Sequence, residues 1–374
     1  MQKKSKPNKG KMTQIILLAV GGVVGFFVGQ YIVEAMKHSG EDIEFGLEMF
    51  VIYVASVILA IFLQIIIHEL GHLVFGLFSG YRFCSFRIGK IMLIKEEGKI
   101  KIKKFSLAGT DGQCLMTPPD VIDSNIPYVL YNMGGVIFNV LSAGIFLGIY
   151  FLGLKVPAFS AFMMANIFFG VFLALANGIP LRLALVSNDG HNVLSIRKNT
   201  EARKCFVLQL KINEQVTKGV RMKDMPEEWF YMPEKTDRKN SICSAVGVFY
   251  FNRLLDQKDF AAAKELGEKL IEESEIPGIY KYLIINELIF LEIIDDRRID
   301  VIESMQSKEF KQFAKKMSSY PSIVRTKYAY QLKVKGNVLE AGKLLHKFEK
   351  IERTYPYTGD IAFERELIEL IEGN

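Results

Sequence analysis

The sequence predicts an α-helical polytopic membrane protein with about four transmembrane helices. It also predicts a small membrane-associated β-sheet and an all-α C-terminal cytoplasmic domain. Three observations carry this reading. Half of the 374 residues are hydrophobic while 24% are charged, so a mean hydropathy just above zero averages two unlike parts. The apolar residues gather in four long runs within the first half of the chain. From about residue 220 charges become dense and apolar residues recur at helical spacing. The apolar content excludes intrinsic disorder, and 30 Gly with 11 Pro in no period exclude a collagen-like chain. Four Cys (Cys84, Cys114, Cys205, Cys243) form no CxxC pair and are too few for a disulfide scaffold. A net charge of +6 without a recognisable motif gives no case for a nucleic-acid partner.

The runs are 15–32, 49–67, 128–154 and 156–176. Each reaches the ~18 residues that let a helix cross a ~30 Å hydrocarbon layer. The second is broken only by Tyr53, Ser56 and Gln64. The first follows Lys3, Lys4, Lys6, Lys9 and Lys11, and no small-residue cleavage site comes after it. It therefore reads as a retained transmembrane helix rather than a signal peptide. Basic residues favour cytoplasmic loops. That rule places the Lys-rich N-terminus inside, the acidic stretch at Glu41, Asp42 and Glu44 outside, and the basic loop 79–126 inside. Arg182, Arg197, Lys198, Arg203 and Lys204 follow the fourth run. Four spans of the cell membrane with both termini cytoplasmic satisfy this pattern, and the Cys then stay reduced.

Within the loop, 83–88 alternates partly, 91–94 is apolar, and 99–103 reads Lys-Ile-Lys-Ile-Lys with period two. Glu96-Glu97-Gly98 makes a hairpin turn between them. A sheet with one basic face suits lipid headgroups. The Gly-containing stretch 109–116 lies ahead of the third run. Further on, 222–239, with Pro226 and Pro233, reads as a linker or surface loop. Beyond it, stretches at 257–260, 295–300 and 335–338 repeat loosely at intervals of about 39 residues, each suited to turning one helix into the next. They resemble TPR-like helical hairpins without the full aromatic and Pro signature; an ordinary helical domain is the alternative. The organisation expected is a tail with the first transmembrane helix (1–45), a membrane core (46–200), a linker (201–239) and a cytoplasmic helical domain (240–374). The last offers a surface for a protein partner or for self-association.

The second run ends in His68-Glu69-Leu70-Gly71-His72, an HExxH. Residues four apart share a helix face, so both imidazoles can bind one Zn²⁺, with the Glu between them as general base. Two surface His at a helix end are the bland alternative, but ionisable groups on an apolar helix are costly and mark function. A catalytic zinc needs a third ligand and an open position. After the fourth run comes Asn177-Gly178-Ile179-Pro180 and then Asn188-Asp189-Gly190-His191. Asp189 is the natural third ligand, on a chain that Pro180 and Gly190 can loosen.

These motifs resemble the site-2 protease (M50) family of intramembrane zinc metalloproteases. That family carries HExxH on one transmembrane helix and Asn-x-x-Pro…Asp-Gly two helices later, in the order seen here. It also tends to carry Gly-Pro-x-x-Asn between them; here Gly135 and Asn139 keep the spacing and Val136 replaces the Pro. The resemblance covers roughly residues 46–196. The gap from Pro180 to Asp189 is longer than usual, and His191 is an added candidate ligand or donor. No PDZ-like segment intervenes. The resemblance implies Zn²⁺ on His68, His72 and Asp189, with Glu69 as general base. Asn139 would then meet the developing oxyanion or glue helices together. It implies a membrane-anchored protein or peptide as substrate. Such a substrate must partly unwind, and the expectation here is that a strand from 83–105 pairs with it and that 109–116 forms part of the entry. The alternative is a non-enzymatic receptor or scaffold with a structural or vestigial zinc site, against which the intact Glu69 argues. A transporter is disfavoured, because no inverted repeat is present.

Overall fold

The computed structural model describes residues 22, 25, 29, 47–96, 98–119, 126–153, 156–181, 185–197 and 199–373. The expected first transmembrane helix lies outside these residues except for Gly22, Gly25 and Gly29, as do the acidic stretch at 41–44 and Arg182. The described residues are mostly helical, with a small antiparallel sheet. They divide into two compact units: Met1–Gly80 with Pro127–Leu194, and Tyr81–Ile126 with Ser195–Asn374. The sheet thus belongs with the C-terminal helices rather than with the apolar core in which the sequence placed it.

The first unit holds α1 (Leu47–Phe78), α2 (Tyr128–Leu152), α3 (Pro157–Gly178) and most of α4 (Asp189–Ile196). Three of these helices are long and apolar enough to cross a membrane. Pro157 starts α3 at a position where a missing N–H costs nothing. α1, α2 and α3 pack on one another with an inside-out distribution. Phe50, Ile58, Phe62, Val140, Ile145 and Phe151 are exposed, whereas Ser56, Gln64, Asn139, Ser142 and Asn166 are buried. Helices apolar all round with polar inner faces suit a lipid surround rather than water.

The second unit begins with β1 (Arg82–Ile88), β2 (Ile91–Glu96), β3 (Lys99–Lys104) and β4 (Gly112–Thr117), in the spatial order β3-β2-β1-β4. Three strands fall where alternation predicts them, and Gly98 turns the hairpin with φ of 80°. β4 occupies a stretch the sequence left without a strand. Register pairs Arg87 with Met92 and Ser85 with Ile94; these four side chains are buried, and α5 (Thr200–Thr217) packs on this sheet. On the other face Ile88 pairs with Ile91, and Leu93 with Ile102. The open face is therefore the apolar one, with Ile102 74% exposed. Lys101 and Lys103 instead reach Glu96.

The segment 201–239 is not a linker. It contains most of α5, and its 3₁₀ turns put Met225 and Phe230 into a core with Ile212, Val216 and Phe249. Arg253 Nη1 holds the turn by donating to the Met222 and Met225 carbonyls at 2.6 and 2.8 Å. Eight helices complete the unit: α6 (Ser241–Asp256), α7 (Phe260–Glu273), α8 (Gly278–Ile294), α9 (Ile299–Met305), α10 (Lys308–Lys316), α11 (Pro321–Ala329), α12 (Val338–Glu352) and α13 (Thr358–Gly373). The three loosely repeated stretches are the turns α6–α7, α8–α9 and α11–α12. Each holds one residue at positive φ, namely Lys258, Arg297 and Gly336, spaced 39 apart. The repeat in sequence is thus a repeat of turn geometry. Its 39-residue period departs from the 34 of the TPR unit.

Arg325, fully buried on α11, ties that helix to α8 and α13. It donates to Glu364 at 2.8 Å and also pairs with Glu287, and its guanidinium lies 3.9 Å from the Phe290 ring centroid. Burial pushes the Glu364 carboxyl up, and Arg325 opposes this. Removing one member leaves buried charge uncompensated. Arg325→Leu is expected to lower stability by about 3–5 kcal/mol in urea unfolding of the full chain. Lys343→Leu, at the exposed pair with Glu340, is expected to leave the midpoint unchanged. Equal midpoints for both variants would contradict this.

Candidate metal centre

α1 continues six residues past His72, to Phe78. His68 therefore lies about 15 Å of helix from its end, deeper than a motif closing the apolar run would be. One helical turn separates His68 from His72, and both rings project toward the start of α4. His68 Nε2 and His72 Nε2 lie 3.2 Å apart. Asp189 Oδ2 lies 3.1 Å from the first and 3.4 Å from the second. Among the described residues these three form the group able to hold a metal ion. Glu69 is buried beside them, and its carboxylate interacts electrostatically with His72.

Local sequence explains how Asp189 arrives there. Pro180 cannot continue α3, so carbonyls at its end lose their partners. Asn188 Nδ2 donates to the Ala176 and Ile179 carbonyls at 2.7 and 2.6 Å. Asn188 Oδ1 accepts from Leu181 N and from His191 N, both at 2.9 Å. One side chain thus closes the turn and N-caps α4, and Asp189 becomes that helix's first residue. A Cβ on Gly190 would run into the Gly178 carbonyl, so Gly lets α4 meet the end of α3. Asn177 donates back to the Leu173 carbonyl of its own helix. His191 does not enter the ligand group.

The outer nitrogens are also held. His68 Nδ1 lies 2.7 Å from Asn139 Oδ1, and His72 Nδ1 lies 2.8 Å from the Tyr131 carbonyl. Acceptors at both Nδ1 atoms place the protons there and turn the Nε2 lone pairs toward Asp189. A Cβ on Gly135 would come within 2.7 Å of three His68 ring atoms, so Gly at this position makes room for the ring. Asn139 Nδ2 donates to the Gln64 carbonyl and to Gln64 Oε1. Both amide hydrogens are thereby engaged, and Asn139 has none left for an oxyanion.

This donor set fits a catalytic zinc. Two imidazoles and one carboxylate leave a fourth position open. Four ligands at ~2.0–2.1 Å would sit about 3.3 Å apart on a tetrahedron, close to the separations observed here. Other divalent metals that favour imidazole are compatible with the same donors. The structure brings together His68, Glu69, His72, Asp189 and Asn139, which the sequence singled out; the sequence reading missed the groups around them, namely Gln64, Ser142, Asn166, Asn188 and the Tyr131 carbonyl. For Gln64 the signal was available, since it is a polar residue in an apolar run, four positions before His68 and so on the same face. No family model, curated protein or solved structure matches the chain.

Proposed function

We propose that the chain is an intramembrane zinc metalloprotease of the site-2 protease type. It hydrolyses a peptide bond in or near a transmembrane segment of a membrane-anchored protein or peptide. One observation carries this reading: His68, His72 and Asp189 converge beside the buried Glu69 within a bundle of apolar helices. In this reading the first apolar run is a fourth span, both termini are cytoplasmic, and the open face of the sheet lies at the lipid headgroups. β3 is an edge strand, and an unwound substrate can pair with such an edge.

Held by His68, His72 and Asp189, zinc would supply Lewis acidity and acidify a water near neutral pH. Glu69 accepts the proton of the attacking water at its carboxylate and returns it to the leaving amine. Asn139 and the Tyr131 carbonyl hold the His68 and His72 rings at Nδ1, so that each Nε2 faces the ligand position. Asn139 is a positioning residue for His68, not an oxyanion donor. The apolar outer faces of α1–α3 surround the site with low-dielectric material, which strengthens each charge interaction within it.

The test is metal binding and cleavage by the full chain in detergent. Wild type is expected to bind one equivalent of zinc, and Asp189→Ala to bind it at least about 100-fold more weakly. Cleavage of single-span substrates should require Glu69. Zinc bound at one equivalent without Glu69-dependent cleavage of any substrate would favour a scaffold with a structural site.

A further inference from the structure

A line of buried amides crosses the three-helix bundle at the level of the metal centre. Gln64 on α1, Asn139 on α2 and Asn166 on α3 are each 0% exposed. Asn139 Nδ2 donates to the Gln64 carbonyl at 3.0 Å and to Gln64 Oε1 at 2.9 Å. Gln64 Nε2 donates to Asn166 Oδ1 at 3.3 Å, and Asn166 Nδ2 donates to the Phe162 carbonyl at 2.9 Å. The Ser142 hydroxyl lies 3.0 Å from the same Gln64 Oε1.

These contacts admit one orientation of each amide. Turning Asn139 over would set its oxygen against two acceptors on Gln64. Turning Gln64 over would set its NH₂ against the NH₂ of Asn139. With Asn139 Nδ2 committed to Gln64, its Oδ1 faces His68 Nδ1 at 2.7 Å. That oxygen has no hydrogen to donate, so the proton on this contact belongs to His68. The Nε2 lone pair is then left for the ligand side.

We propose that Gln64 is a positioning residue for the metal site. Braced by Asn166, it fixes the Asn139 amide, and through it the ring orientation and tautomer of His68. An apolar side chain at position 64 would fill the bundle interior at lower desolvation cost. A helix-gluing amide would also stabilise the bundle, but helix gluing does not require the chain of donors to run toward a ligand. This inference rests on the metal-site reading above.

The test measures zinc affinity by chelator competition on the folded full-length protein in detergent, with the Co²⁺ absorption spectrum as a second readout. Gln64→Leu is expected to weaken zinc binding about tenfold, as loss of outer support to a metal ligand does, and to shift the Co²⁺ bands. Gln64→Glu keeps the acceptor that faces Asn139 but loses the donor to Asn166, so it is expected to weaken binding no more than loss of the brace does. Asn166→Leu removes the outer brace and is expected to weaken binding by a smaller factor. Wild-type affinity and spectrum in Gln64→Leu would overturn the proposal while leaving the metal site standing. Should Gln64→Leu fail to fold, wild-type affinity in Asn166→Leu, or a tenfold loss in Gln64→Glu, would overturn it in the same way. A wild type that binds no zinc would overturn this proposal and the metal-site reading together.

Discussion

Glu69→Gln is expected to lower kcat about 10³-fold, within the range for loss of a positioned general base, while zinc content stays at one equivalent. Glu69 stands between the two His on α1 and is buried with them, yet the ligand group closes on His68, His72 and Asp189 without it. A residue outside that group can be replaced by its amide without removing a ligand atom. What the amide lacks is an oxygen basic enough to take a proton. The substitution therefore separates chemistry from metal binding, and single-turnover cleavage with parallel metal analysis reads both. Loss of zinc in Glu69→Gln would mean that the carboxylate supports the ligands instead. Full activity would mean that the base lies elsewhere.

The candidate site was legible because its chemistry is conspicuous against its background. Two His and a Glu at helical spacing in an apolar run have few bland explanations, and an Asp-Gly after the last run gains meaning only beside them. The sheet was legible where alternation is strict, as in 99–103, and invisible in β4. There Gly112-Gln113-Cys114-Leu115-Met116-Thr117 shows no clear period, and the partner strand β1 decides the conformation. The face of the sheet was misread for a related reason. Alternation shows that Ile100 and Ile102 oppose Lys101 and Lys103, but which set turns outward depends on α5, which lies about a hundred residues further along the chain. The linker assigned to 201–239 failed because Pro226 and Pro233 interrupt periodicity. The segment is anchored instead by scattered residues such as Met225 and Phe230. The supporting amides were missed because hydrogen bonds between helices carry no sequence period.

Gly71→Ala should damage the centre, although Gly71 carries no functional group. Gly71 lies between Glu69 and His72 on α1, facing Gly134 on α2. A Cβ on either Gly would overlap the other's carbonyl group. Backbone cannot rotate away as a side chain can, so the added methyl must push α1 and α2 apart. Overpacking of this kind costs about 1–3 kcal/mol. The displacement falls where His68 reaches Asn139 and His72 reaches the Tyr131 carbonyl, both across the same α1–α2 contact. Separating the helices breaks both supports at once, so the folded fraction is expected to bind zinc at least about tenfold more weakly. Gly144→Ala is the matched control: it lies on α2, where an added Cβ meets nothing within 4 Å. That variant should keep wild-type zinc affinity and thermal midpoint. If Gly71→Ala and Gly144→Ala behaved alike in chelator competition and thermal unfolding, close approach of the two helices would not be what seats the imidazoles.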